Sequence, residues 1–88
     1  MNALQGSGSC VRIEVRDEAG QFIPASRIGL RVAQAAADSK ERFHTEPTTL
    51  YVRPELYEHL QRTLPGASKA WRVRICCEYQ LDMEAILV

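Results

Sequence analysis

The spacing of apolar residues changes twice along this chain, and that change constrains the fold more than any single motif. From Cys10 to Arg16 the residues Val11, Ile13 and Val15 alternate with Arg12, Glu14 and Arg16, the period of two expected of a strand with one buried face. Between residues 26 and 64 the spacing lengthens to that of helices. It then returns to two, with Trp71, Val73, Ile75, Cys77, Tyr79, Leu81 and Met83 on one side and Arg72, Arg74, Cys76, Glu78 and Gln80 on the other. Strand patterns at both ends with helical patterns between them predict an α+β fold: a small antiparallel sheet of three to five strands packed by two short helices.

The local signals refine this outline. Asp17-Glu18-Ala19-Gly20 supplies turn chemistry, and Gln21-Phe22-Ile23 returns as a short second strand stopped by Pro24. Residues 26–32 fit a strand through Ile28, Leu30 and Val32, or the start of a helix whose stripe is Ile28, Val32, Ala35/Ala36, Ser39 and Phe43. The helix is favoured, with Ser26 as its N-cap, because Ala33–Arg42 is rich in good helix formers; Gly29 is the residue that fits it least. Pro47 breaks this helix, Thr48–Val52 reads as a short strand, and Pro54 opens a second helix carrying Leu56, Leu60 and Leu64. Pro65-Gly66 ends it. Over residues 68–83 a helix through Trp71, Ile75, Tyr79 and Met83 is the alternative to the strand, and the β-branched and aromatic content favours the strand.

Length and composition bound the rest. Eighty-eight residues, 45% of them hydrophobic, suit one globular domain. That domain is expected over residues 10–88, behind an arm at residues 1–9 whose Gly6-Ser7-Gly8-Ser9 run is flexible unless a partner holds it. The 11 basic and 11 acidic residues cancel, so the basic excess that drives non-specific nucleic-acid binding is missing. Nine of the 11 basic residues are Arg, the side chain enriched at protein interfaces. No stretch reaches the roughly 20 apolar residues that span a bilayer, and no secretory signal is visible. No membrane association is expected, and a reducing cytoplasm is the expected setting.

The chemistry-bearing residues are few. Cys10, Cys76 and Cys77 lack the spaced pairs of a zinc site, and adjacent strand residues point to opposite faces. His44 and His59 stand outside any catalytic signature, and Gly6/Gly8 neither follow a strand nor precede the Lys of a phosphate loop. No catalytic residue, metal or cofactor is expected. The arginines are different. Arg12 and Arg16 share the outer face of the first strand, Arg72 and Arg74 that of the last. If those strands are neighbours, the four form an Arg-rich face suited to an acidic protein or a phosphate backbone, tempered by Glu14 and Glu78.

Two resemblances fall on the middle of the chain. The order of Ala-rich helix (Ala33–Phe43), Pro47, strand (Leu50–Val52) and Pro-started helix (Pro54–Leu64) resembles a segment of the capsid-type fold of tailed phages. In a chain this short it implies a virion-associated or accessory protein, found in the virion or the host cytoplasm. Thr48-Thr49-Leu50-Tyr51-Val52-Arg53-Pro54-Glu55-Leu56-Tyr57-Glu58-His59-Leu60 also resembles ribbon-helix-helix regulators. That likeness implies a dimer whose paired strands enter the major groove, with Thr49, Tyr51 and Arg53 as the DNA-contacting residues. The expected function is a non-enzymatic assembly or protein-binding component, self-associating or docked on a partner protein. A dimeric DNA-binding regulator and a phage-type inhibitor of a host protein are the alternatives.

Overall fold

The computed structural model describes residues 10–88, so the arm read at residues 1–9 lies outside the described residues. Four strands form one sheet: β1 (Val11–Arg12), β2 (Thr49–Val52), β3 (Arg74–Cys77) and β4 (Ala85–Leu87), in the order β1-β4-β2-β3. Three helices accompany them: α1 (Ala25–Phe43), α2 (Pro54–Thr63) and α3 (Ala67–Trp71). The α+β class is the expected one. The sheet, however, is mixed, since β4 runs antiparallel to β1 and β2 while β2 and β3 are parallel. The cause is the crossover through α2 and α3, which returns the chain to the end of the sheet from which β2 started. Among the described residues there are three helices rather than two, and α1 is long, at 19 residues.

The first hairpin forms around its turn. Asp17 Oδ1 accepts from the backbone N–H groups of Ala19 and Gln21, both at 3.0 Å, and Gly20 takes φ 82°, a conformation that costs glycine little. Asp17→Ala removes both acceptor contacts and should cost about 1 kcal/mol in urea unfolding, the scale of a lost local hydrogen-bonding group. The legs pair through Arg16 and Phe22, and Ile23 N–H donates to Val15 O at 2.9 Å. Regular β1 pairing to β4 covers only Val11 and Arg12, and Ile13 N–H still reaches Ala85 O at 3.1 Å.

Helix α1 starts one residue before Ser26, which therefore does not cap it. Pro24 takes the N-cap position, and its carbonyl accepts from Arg27 and Ile28 N–H at 2.9 and 3.1 Å. The fixed φ of proline suits a helix start. His44, left-handed at φ 56°, ends the helix by donating its N–H to Lys40 O, and Lys40 and Arg42 complement the negative end of the dipole. Ile28, Val32 and Ser39 of the anticipated stripe are buried, whereas Phe43 is exposed. Arg31 Nη1 donates to Glu14 O at 3.2 Å and ties the helix to the hairpin.

Gly29 faces α3, where an added Cβ would lie 2.8 Å from Trp71 Cε2, so close approach explains the residue that least suited a helix. Ser39 Oγ is buried and has no hydrogen-bond partner among the described residues. Ser39→Ala removes that desolvated hydroxyl and raises helix propensity, so a gain of about 0.5–1.5 kcal/mol is expected by chemical denaturation.

The expected strand over 71–83 is replaced by three pieces. Helix α3 runs through Trp71, Arg72 turns left-handed at φ 58°, and β3 begins at Arg74. Ser68 fixes the turn: its Oγ donates to Val73 O at 2.6 Å, while its carbonyl accepts from Val73 N–H at 3.2 Å. The ladder to β2 ends where Glu78 N–H meets Val52 O at 2.8 Å, and a loop leads on to β4. One core cluster, including Ile28 and Val32 of α1, Leu50 and Val52 of β2, Leu56 and Leu60 of α2, and Ala85 and Leu87 of β4, joins these helices to one face of the sheet. The opposite face carries none of that cluster.

Candidate functional site

The register of the sheet places a defined row on the face away from the core. Arg12 of β1 lies opposite Ile86 of β4, Ile86 opposite Tyr51 of β2, and Tyr51 opposite Cys76 of β3. One step along, Thr49 lies opposite Arg74. The period of two explains the placement: Leu50 and Val52 are buried in the core while Thr49 and Tyr51 are half-buried on the other side. Thus Cys76 shares the outer face with Tyr51, and Cys77, opposite Val52, turns inward, as their adjacency predicts. Cys76 and Cys77 are free thiols, and among the described residues no cluster of His, Cys, Asp or Glu has a metal-binding arrangement.

The arginines read as one face are distributed differently. β1 and β3 are the two opposite edges of the sheet, not neighbours, so Arg12 and Arg74 flank the outer face three strand spacings apart, about 14 Å across the strands, and are further offset by two residues along them. Arg72 is not on that face, because it occupies the left-handed turn after α3. Arg16 is committed within the chain: Nη1 donates to Gly20 O at 2.6 Å, Nη2 meets Glu84 Oε1 at 3.1 Å, and the guanidinium lies 4.1 Å from the centre of the Phe22 ring. Arg12 stands 3.6 Å from Glu14. Arg74 is exposed and makes no ion pair or side-chain hydrogen bond among the described residues.

Thr49, Tyr51 and Arg53 also receive definite places. β2 is hydrogen-bonded on both sides, to β3 and β4, so a ribbon formed by pairing this strand with a dimer mate has no open edge to use. Arg53 precedes α2 and bridges the sheet to the loop after β3, donating from Nη1 to Leu81 O at 3.0 Å and standing 3.5 Å from Glu55. It acts as an internal strut. His44 is the exposed cap of α1, and His59 of α2 packs its ring 5.0 Å from Phe22.

A shallow cavity of about 120 Å³ lies at the β1 end, lined by Arg12, Ile13, Glu14, Val15, Arg16 and Glu84. Ligand sites for drug-sized molecules run to about 300–1,000 Å³, so this hollow has the scale of a few waters or one side chain. Among the described residues no helix is long and apolar enough to cross a membrane.

Glu84 and Ile86 were not anticipated at the site. Ala85-Ile86-Leu87-Val88 is a continuous apolar run, the mark of a strand covered on both faces, and that signal could have identified β4. Compared with known proteins, the chain matches no protein-family model, no curated protein and no solved structure.

Proposed function

We propose that this chain is a non-enzymatic protein-binding component of a larger assembly, and that the outer face of its sheet is the contact surface. The observation that carries this reading is the row Arg12–Ile86–Tyr51–Cys76 with Arg74 beside it. Ile86 is itself buried, so the accessible part of the row is the half-buried Tyr51 and Cys76 with exposed Arg12 and Arg74 beside them. An aromatic centre flanked by arginines is of the kind enriched at protein interfaces. The partner it suits presents an apolar patch for Tyr51 with carboxylates beside it. The tailed-phage resemblance of Ala33–Leu64 makes a virion-associated or accessory component the expected setting.

The test is affinity capture with the intact chain and with Tyr51→Asp, followed by reconstitution of any captured protein in purified form. A purified pair that forms with the unaltered chain and is at least tenfold weaker with Tyr51→Asp supports the reading. Equal binding by both chains would place the contact elsewhere.

A further inference from the structure

Strand β3 is paired on one side only. Arg74 N–H donates to Thr48 O and Glu78 N–H to Val52 O, both at 2.8 Å, and the even spacing of a parallel ladder turns the Cys76 backbone toward β2 as well. The backbone groups of Ile75 and Cys77 therefore face outward, where they have no partner among the described residues. An edge of this kind is a template for another strand.

The side chains along β3 match the strand's own reverse. We infer that β3 pairs antiparallel with β3 of a second copy of this chain, on a two-fold axis through Cys76. In that register Ile75 lies opposite Cys77 of the second copy, and the outward N–H and C=O groups of both residues are satisfied twice over. On the outer face Arg74 lies opposite Glu78 at each end, so both charges are paired across the axis. Both are exposed, and neither has an ion-pair partner within its own chain among the described residues. Cys76 meets its own copy at the axis as a non-hydrogen-bonded pair, with Cα atoms about 4.5 Å apart, within disulfide range.

Neighbouring registers lose these features. An axis through Ile75 puts Arg74 opposite Cys76 and calls on Val73, whose N–H and C=O are already held by Ser68. An axis through Cys77 sets Glu78 opposite Cys76 and leaves Arg74 without a carboxylate. A shift that exchanges the faces would bring Arg74 and Cys76 into the core side. The resulting dimer carries one continuous sheet across both copies and joins their two outer faces. The inference rests on the assembly reading above; it takes up Arg74 and Cys76 at the β3 edge of the outer face and leaves Arg12 and Tyr51 open to a different partner.

The test is sedimentation velocity of the intact chain over a concentration series, with Glu78→Arg and the exchanged pair Arg74→Glu/Glu78→Arg. The unaltered chain is expected to dimerise, Glu78→Arg to weaken the dimer about tenfold or more by opposing like charges at both ends, and the exchange to restore it. A second measurement uses single-cysteine chains oxidised with diamide, which takes up the two electrons and two protons released as two thiols become one disulfide. Cross-linked dimer is expected from Cys10→Ser/Cys77→Ser and not from Cys10→Ser/Cys76→Ser. A monomer at every concentration, or a dimer indifferent to Glu78→Arg that cross-links through Cys77, overturns the pairing. A monomer whose binding of a different protein is lost with Glu78→Arg assigns the edge to a foreign strand and also overturns it. A monomer that still binds a partner through Tyr51 removes the edge pairing alone, and a dimer without a Tyr51-dependent partner removes the face reading alone.

Discussion

Leu50→Ala is expected to lower the unfolding free energy by about 2–5 kcal/mol, read as a fall in the urea midpoint with little change in slope. Leu50 is fully buried in the one core cluster, and its strand is hydrogen-bonded on both sides. The backbone cannot move inward to fill the space left by the lost methyls, so the cavity persists and its cost adds to the lost transfer energy. A domain of this size has roughly 5–15 kcal/mol in all, so the variant should melt well below the parent. Leu30→Ala is the control. Leu30 lies on α1 with 64% of its surface exposed, and its truncation should stay within about 0.5 kcal/mol.

Gly29→Val should be comparably damaging for the opposite reason. The glycine leaves room for the indole of Trp71, and even a Cβ would stand 2.8 Å from Cε2. Overpacking of that kind costs about 1–3 kcal/mol and more when both elements are held. Both are: α1 by the core and by Arg31, α3 by the Ser68–Val73 turn. Gly29→Ala separates packing from propensity. In an unconstrained helix alanine gains about 1 kcal/mol over glycine, so destabilisation here would mean that the clash outweighs the gain. In a Trp71→Leu background the same change should become neutral or stabilising, and thermal melts of the four chains give the coupling energy directly.

Much of the face pattern was legible because it follows from local geometry. The alternation of Thr49, Leu50, Tyr51 and Val52 predicts which residues enter the core whatever strand lies beside them, and so does the opposite facing of Cys76 and Cys77. The turn at Asp17–Gly20 and the proline-started helix at Pro54 are equally local. The reading failed where a second interaction overrode a sound local pattern. Trp71 keeps the strand period in sequence, yet it belongs to a helix because its indole fills the gap at Gly29. Arg72 fits the outer side of a strand, yet the Ser68 hydrogen bonds hold it in a left-handed turn. Arg16 and Arg53 resemble available surface charges, and both are consumed by groups distant in sequence, Arg16 by the Glu84 carboxylate and Arg53 by the Leu81 carbonyl.

The chain's own sequence thus determined its α+β class, its main helices and the sidedness of its strands, because side-chain period and turn chemistry act over a few residues. Only the tertiary structure decided the strand order, the insertion of β4 between β1 and β2, and the parallel pairing that leaves β3 as an edge. Pairing joins residues far apart in the chain, and a period of two says which way a strand faces but not which strand lies next to it. The separation of Arg12 from Arg74 and the opening of the β3 edge are consequences of that order. For this reason the candidate surfaces became visible only in the folded chain.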